Sequence, residues 1–384
     1  MQITIKGYIT SKESELFSDC ADRYAYDKHH HKFSISDGVS KSFFPKFWAE
    51  YLVKEFISKE KIEEKIFLQE CQEKWLKKIT KIVSKPTTKW FTQNAFNNKS
   101  PALATFVGLQ FFEKEKKWEA SALGDSFLFF VPKERKTFDS DCIIVSSKTE
   151  PIVFDNFPDY FSSIGDKFKG KVKRTLKRDL KDGTFYLMTD ALAEWFLNEK
   201  ENAIGKISVW QNQNDFERFI DEERLTEKLG NDDSAILIIN VEKVNESEIK
   251  YSEKNAVSDI YELIDKQEEE IKKQEEVVSE TKVKEELKSE IPENTTTKNI
   301  EEIEATSENE NIATSEEKSE NKTLEQTQNN LETEKEINLV KKEFKGVISN
   351  IKDGIKNIIS DTETKKEEFI KINKKDSKSI TDKF

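Results

Sequence analysis

Five aspartates occupy similar places in the sequence, each at the start or end of an apolar run. They are Asp22 in "CADRYAY", Asp37 in "SISDG", Asp125 in "ALGDS", Asp190 in "YLMTD" and Asp232 in "GNDDSAILII". Carboxylates at strand ends can converge at one edge of a sheet, and hard cations such as Mg²⁺ and Mn²⁺ prefer oxygen ligands. The pattern therefore favours a divalent-metal site, although an aspartate beside a strand is also a common turn former.

Two of these carboxylates have a glycine next to them: Gly38 follows Asp37, and Gly124 precedes Asp125. Glycine has no Cβ, so it lets a backbone carbonyl or a metal ion approach closely. The Asp-Gly pair is equally typical of a plain turn. Each motif is therefore ambiguous alone, and only the set of five indicates a site.

The other reactive residue types indicate no second site. The cysteines, Cys20, Cys71 and Cys142, are odd in number and widely spaced, so they predict neither a metal-ligand pair nor a disulfide framework. Residues 29–31 are three consecutive histidines between two strand-like runs. Because adjacent residues of a hairpin turn point in different directions, we expect a solvated turn there.

Hydrophobic periodicity predicts the elements that must position the carboxylates. Alternation predicts strands within 1–10 and 23–37, and apolar residues three and four apart predict helices within 44–83. Further predictions are a loop over 84–101, strands over 102–112, 118–131, 142–147, 184–190 and 230–241, and a helix over 191–200. This order favours an α+β domain with antiparallel sheets over a regularly alternating doubly wound one.

Composition divides the chain into unequal parts. The first 243 residues contain all six Trp and all three Cys, enough for one sizeable core. The remainder is mostly Glu, Lys, Ser, Thr and Asn, which bury too little apolar surface to offset chain entropy. We predict a domain over 1–243, a charged low-complexity linker over 244–334 that is disordered or partly helical, and a basic amphipathic helical segment with a C-terminal tail over 335–384.

Charge and hydropathy limit the function classes. A formal net charge of −12 argues against a general nucleic-acid binder, because phosphate backbones are held by basic surfaces. The sequence starts without the apolar core of a signal peptide and contains no apolar run of about 18 residues, so we expect a cytoplasmic protein. Residues 167–181 form a basic run that either steers phosphorylated substrates or is a solvated helix face.

Six segments, taken in order, resemble the motifs of the metal-dependent serine/threonine protein phosphatases (type 2C or PPM family), in a divergent bacterial form. They are "CADRYAYD", "FSISDGVSKS", "SPALATFVGLQF", "ALGDSFLFFV", "FYLMTDALAEWF" and "NDDSAILIINV". The resemblance covers about residues 1–243 and none of the tail. It implies a four-layer α-β-β-α sandwich with two mainly antiparallel sheets, followed by a largely disordered tail.

The resemblance also implies ligand roles at matching positions. Asp37 would bridge two Mg²⁺ or Mn²⁺ ions, and the Gly38 carbonyl would bind the second. Asp190 and Asp232 would complete the first metal site.

Two more carboxylates receive roles in the same way. Asp125, together with Asp190, would hold a weaker third ion, and Asp22 would lie beside the second. A water activated between two cations would hydrolyse phosphoserine or phosphothreonine on a protein substrate. The expected catalytic set is therefore Asp37, Asp190 and Asp232, acting through that water, with Asp22.

Several neighbours of these aspartates depart from the family's pattern. Phe17 stands where a phosphate-binding Arg is usual, and Ala21 replaces the acidic residue before the first motif Asp. Ser40 and Lys41 replace Gly-Gly, and Phe127 replaces the Arg of Gly-Asp-Ser-Arg. These departures fall at positions that bind the substrate phosphate and surround the second metal in the family.

Three functional alternatives follow. The first is an active divergent phosphatase, in which Lys41 or Lys46 could supply the missing phosphate-binding cation. The second is a catalytically impaired pseudophosphatase that acts as a phosphoprotein-binding or regulatory module. The third is a tethering protein whose tail is its main function. Residues 337–359 predict a basic amphipathic helix for a partner protein or a membrane surface, or a helical stretch without a role.

Overall fold

A computed structural model describes residues 1–60, 64–139, 141–154, 157–165, 169–256 and 260–273 of the protein. Its strands are β1 (Gln2–Thr10), β2 (Arg23–Asp27), β3 (Lys32–Ser36), β4 (Leu103–Ala104), β5 (Phe106–Phe112), β6 (Lys117–Leu123), β7 (Phe127–Pro132), β8 (Ile143–Val145), β9 (Phe161–Ser162), β10 (Lys173–Arg174), β11 (Arg178–Asp179), β12 (Gly183–Met188), β13 (Ser234–Glu242) and β14 (Lys250–Ala256). Its helices are α1 (Pro45–Ser58), α2 (Glu64–Val83), α3 (Trp90–Asn97), α4 (Asp190–Glu199), α5 (Ala203–Ser208) and α6 (Gln213–Leu225), and α7 over 260–273.

Most strands belong to two sheets. Sheet A has the order β14-β1-β13-β12-β7-β8, and sheet B has the order β10-β6-β5-β3-β2 with β11 also paired to β6. Both are antiparallel apart from the β1–β14 pair, which is parallel. β1 pairs with β13 along its full length, so that Thr10 lies opposite Ser234. This register brings the chain after Thr10 beside the turn that precedes β13.

Three hydrophobic clusters produce four layers. The space between the sheets is filled from both sides, by Phe33, Leu109, Leu187 and Ile239 among others. On the outer face of sheet B, α1 and α2 bury Trp48 and Trp75. On the outer face of sheet A, α4 and α6 bury Trp195 and Phe216. The predicted α-β-β-α sandwich with mainly antiparallel sheets is confirmed.

The chain after residue 243 adds two elements to the same compact unit, which covers Met1–Lys272. β14 extends sheet A at its edge, and α7 buries Ile260 and Leu263 in the cluster between the sheets. The predicted linker beyond residue 273 and the predicted segment 335–384, with its amphipathic stretch, lie outside the described residues. No helix in the described ranges is long and apolar enough to cross a membrane.

Three local predictions can be compared with the structure. The predicted loop over 84–101 contains the short helix α3, which buries none of its residues. The basic run does not form a helix where it is described. Its residues 173–174 and 178–179 pair with β6 as short edge strands. The three histidines lie in the β2–β3 turn, as predicted.

Candidate metal centre

Three of the five predicted carboxylates meet at one end of the two sheets. Oxygen atoms of Asp37, Asp125 and Asp190 all lie within 4.8 Å of one another. Asp37 follows β3, Asp125 lies in the turn from β6 to β7, and Asp190 begins α4 directly after β12. Ligand oxygens bind Mg²⁺ or Ca²⁺ at about 2.0–2.6 Å, so oxygens on opposite sides of one ion are at most about 5 Å apart. The three carboxylates can therefore share a cation.

Thr105 ties the Asp37 loop to the Asp125 turn. Its hydroxyl accepts a hydrogen bond from the Asp37 N–H at 3.2 Å and lies 2.6 Å from the Ser126 hydroxyl. Its own N–H donates to the Asp37 carbonyl at 2.9 Å. Thr105 and Ser126 are both completely buried. Thr105 thus links the backbone at Asp37 to the Ser126 side chain in the Asp125 turn.

The two neighbouring glycines are required by close packing. Gly124 has φ of +96°, and a Cβ there would lie 2.6 Å from the Asp159 carbonyl and 2.7 Å from the Thr105 side chain. A Cβ on Gly38 would lie 3.0 Å from the Ala21 carbonyl oxygen. Larger residues would displace the loops that carry Asp37 and Asp125. The predicted ligand role of the Gly38 carbonyl stays a prediction.

The clustered carboxylates disfavour one another's ionisation. Burial and the nearby carboxylates of Asp125 and Asp232 raise the pKa of Asp190 to about 8, although the Ala191 N–H, which donates to Asp190 at 2.6 Å, opposes this. Burial and the carboxylates of Asp190, Asp22 and Asp125 raise the pKa of Asp37 well above its ordinary value. Such mutual repulsion is relieved when a cation binds between the groups.

Asp22 is the most deeply buried carboxylate of the set. Its side chain is fully buried, and neither oxygen has a hydrogen-bond partner of ordinary geometry within the described ranges. Burial and the carboxylates of Asp233 and Asp190 raise its pKa well above the ordinary value, while the Thr189 hydroxyl acts in the opposite direction. A buried carboxylate without partners is costly unless it is protonated or faces a cation. This orphaned group fits a nearby divalent ion.

Asp232 and Asp233 have different surroundings. The Asp232 side chain is about half exposed and pairs with Lys12, whose Nζ lies 2.8 Å from Oδ1. It is close enough to raise the pKa values of Asp37 and Asp190. Asp233 is buried and accepts hydrogen bonds from the N–H groups of Ala21 at 2.7 Å and Lys12 at 3.0 Å. The predicted ligand role of Asp232 stays a prediction.

Lys12 and Asp233 belong to the site but are absent from the predicted set. Burial opposes the charge of Lys12, yet pairing with Asp232 raises its pKa above the ordinary value. No local sequence pattern marks Lys12 as part of the site. The register of β1 against β13, with Thr10 opposite Ser234, places Lys12 beside the Asp232 turn. Asp233 directly follows Asp232, so the local sequence could not show which of the two aspartates has which role.

The residues that depart from the family's pattern take up different places. Phe127 is completely buried in the outer core of sheet A, so this position is part of the packing. Phe17 packs against the cluster between the sheets. Of the two suggested substitute cations, Lys46 donates to the Ser18 carbonyl at 2.7 Å and Lys41 is exposed.

Comparison with known proteins gives similarities in structure only. No family model matches the sequence, and no curated protein matches it. The catalytic domain of the serine/threonine protein phosphatase PstP in complex with two manganese ions is similar at 10% identity, over 62% of this chain and 98% of that one, with a TM-score of 0.39. PstP/Ppp of Mycobacterium tuberculosis is similar at 9% identity, over 62% and 99%, with a TM-score of 0.40.

A third solved structure, RsbX in complex with magnesium, is similar at 12% identity, over 62% of this chain and 96% of that one, with a TM-score of 0.36. At such low identities and TM-scores no functional argument follows from the likeness. The solved structures that the chain resembles are PPM-type serine/threonine phosphatases.

Proposed function

We propose that the protein hydrolyses phosphoserine and phosphothreonine on proteins with the help of bound Mg²⁺ or Mn²⁺. The observation that carries this proposal is the convergence of Asp37, Asp125 and Asp190 within 4.8 Å at three strand ends. Ionised carboxylates held this close repel one another unless a cation lies between them. The fully buried Asp22 carboxylate beside them, whose oxygens have no hydrogen bond of ordinary geometry within the described ranges, supports the same conclusion.

Asp37, Asp125 and Asp190 would hold the cation, with Asp22 behind them. A divalent cation there supplies neutralising charge for phosphoryl oxygens and lowers the pKa of a bound water. The protein's own part is positioning, because Thr105 holds the Asp37 backbone and contacts Ser126 beside Asp125. An ion count of two or three and the bridging role of Asp37 stay predictions.

A cysteine nucleophile is a poor alternative. Cys20 lies near Asp22 and Asp233, but burial and these carboxylates raise the pKa of its thiol well above the ordinary value. Since the thiolate is the reactive form, this thiol is a weak nucleophile at neutral pH. The site therefore favours attack by water over a covalent phosphoenzyme.

Exposed cations on the edge of sheet B support a phosphorylated, acidic substrate. Lys173 lies opposite Ala122 of β6, and Arg178 lies opposite Trp118. β6 ends just before Asp125, so this positive edge runs toward the carboxylate cluster. Positive charge of this kind raises the encounter rate with anionic substrates. The partner role of residues 337–359 and the cytoplasmic location stay predictions.

The test is hydrolysis of p-nitrophenyl phosphate and of phosphoserine and phosphothreonine peptides by the full chain, with Mn²⁺, with Mg²⁺ and with EDTA. We expect metal-dependent turnover that is lost in Asp37→Asn and Asp190→Asn. Asp265→Asn, which changes an exposed carboxylate of α7, is the matched control and should keep full activity. Equal turnover in EDTA would contradict the proposal, as would unchanged turnover in both cluster variants.

A second candidate function, phosphoprotein binding without turnover, is favoured by one observation. The Asp232 carboxylate is paired with Lys12 at 2.8 Å, and this pairing competes with metal binding there. Under this alternative the protein binds Mn²⁺ and phosphopeptide but releases no phosphate. Calorimetric binding of a phosphopeptide, measured beside phosphate release from the same peptide, separates the two functions.

A further inference from the structure

Lys12 lies against the outer side of the carboxylate cluster and contacts two of its loops. Its Nζ is 2.8 Å from Asp232 Oδ1 and donates to the Ser40 hydroxyl at 2.8 Å. Ser40 lies three residues after Asp37 and Asp232 precedes β13, so the ammonium links the two loops. Its side chain is only 21% exposed. A fixed positive charge is thus part of the site.

The backbone around Lys12 is held by the same region. The Lys12 N–H donates to Asp233 Oδ1 at 3.0 Å. Arg224 donates to the Ser11 carbonyl at 3.1 Å and also to the Asp232 carbonyl. The lysine and the turn it pairs with are therefore anchored to one guanidinium. This differs from an ordinary surface ion pair, in which two free side chains gain little by meeting.

A divalent ion and this ammonium compete for Asp232 Oδ1. Asp232 Oδ1 already contacts Lys12 Nζ, and Oδ1 also accepts the Asp233 N–H at 2.8 Å. An ion bound at Asp232 would lie a few ångströms from the ammonium, where two positive charges repel strongly. The ion pair beside Asp37, Asp125 and Asp190 is longer: Lys148 Nζ lies 3.9 Å from Asp125 Oδ2.

We propose that the Lys12 ammonium takes the place of a second divalent cation at Asp232, so that the protein binds one divalent ion, at Asp37, Asp125 and Asp190. This inference rests on the proposed metal site and specifies its ion count. It also assigns a role to Ser40, whose hydroxyl holds the ammonium against the carboxylate. Lys12 thus supplies, from the protein itself, the positive charge that a second ion would bring to Asp232.

The test counts Mn²⁺ ions bound to the full chain by isothermal titration calorimetry and by electron paramagnetic resonance of free Mn²⁺. Lys12→Met keeps the length of the side chain and removes its charge. Lys12→Arg keeps the charge. Lys41→Met is the control, because Lys41 is an exposed lysine next to Ser40, in the loop between β3 and α1. Circular dichroism melts show that each variant is folded.

We expect one ion on the wild type, on Lys12→Arg and on Lys41→Met, and a second ion on Lys12→Met that binds about tenfold or more tightly than any second ion on the wild type. Two ions on the wild type, with Lys12→Met unchanged, would overturn the inference and leave the proposed function standing. If neither the wild type nor Lys12→Met binds an ion, both the inference and the proposed function are overturned. If Lys12→Met does not fold, a second ion on Lys12→Arg is the result that overturns the inference.

Discussion

The candidate metal centre has inner carboxylates, Asp37, Asp125 and Asp190, and an outer pair, Asp232 and Asp233. The charges of the two groups are compensated in different ways. Asp37 and Asp190 lie at strand ends against other carboxylates, and their pKa values are raised. Asp232 has a lysine 2.8 Å away, and Asp233 accepts two backbone N–H groups. Groups of the protein itself thus compensate the outer pair, although burial still raises the pKa of Asp233. Under the proposed function, a bound cation would compensate the inner carboxylates. Proximity to a strand end does not by itself distinguish a ligand from a satisfied ion pair.

The largest expected effect comes from removing one inner charge and one outer charge separately. Asp37→Asn should lower Mn²⁺-dependent phosphate release by about a thousandfold, because it removes one of the carboxylates proposed to hold the divalent cation. Asp232→Asn should lower it by only about tenfold, since Lys12 already compensates that carboxylate. Steady-state kinetics at saturating Mn²⁺ measure the rate loss of each variant. Equal losses would show that the inner and outer carboxylates do not differ in their importance for turnover.

The next effect is the pH dependence of stability in the metal-free protein. The pKa of Asp190 is raised to about 8, so the folded state binds this proton more tightly than the unfolded chain, where the value is about 3.9. The stabilisation is complete below about pH 4 and is lost as pH rises through about 8. Urea denaturation in EDTA should show a decline of about 3–4 kcal/mol in the free energy of unfolding between pH 5 and pH 8.

Two variants check the origin of that decline. Asp190→Asn should flatten the profile because the titrating carboxyl is gone, whereas Asp232→Asn should leave most of the slope. Saturating Mn²⁺ should reverse the direction, since the ion binds the deprotonated carboxylates. A metal-free profile with the same slope in Asp190→Asn would show that the slope comes from other groups.

The sequence predicted the inner cluster because its evidence is local. Alternating apolar residues before Asp37 and a continuous apolar run before Asp190 indicate strands, and the carboxyl after each strand falls at the sheet edge. The four-layer fold was predictable for the same reason, together with the motif resemblance. These features depend on runs of five to nine residues, over which hydrophobic period is a reliable signal.

Other features of the fold and the site could not be predicted from the sequence, because they depend on contacts between distant residues or on weak local patterns. Lys12 and Asp232 are 220 residues apart in the chain, and no local pattern marks their ion pair. β14, with the sequence KYSEKNA, is mostly polar because it extends one edge of sheet A. α3 is only 8 residues long, and no side-chain cap marks where it begins.

A third prediction concerns the side chain that positions the inner cluster. Thr105→Val removes the hydroxyl that accepts from the Asp37 N–H and contacts Ser126, in a fully buried place. We expect a loss of about 1–2 kcal/mol in the free energy of unfolding and weaker Mn²⁺ binding. Thr105→Ser keeps the hydroxyl and should bind Mn²⁺ nearly as the wild type does. Equal Mn²⁺ affinity in all three proteins would deny Thr105 a positioning role.

The smallest expected effect concerns the outer pair and its support. Ser40→Ala removes the hydroxyl that accepts from Lys12 at 2.8 Å, which frees the ammonium to leave Asp232 part of the time. The affinity for a second Mn²⁺ should rise by about two- to tenfold, less than on removal of the charge itself, because one hydrogen bond contributes about 0.5–1.5 kcal/mol. In the Lys12→Met background the same Ser40→Ala change should have no effect, since no ammonium remains to be held. A Ser40→Ala effect that persists in the double variant would mean that Ser40 acts on the metal site without Lys12, and the outer carboxylate would then be controlled by the Asp37 loop.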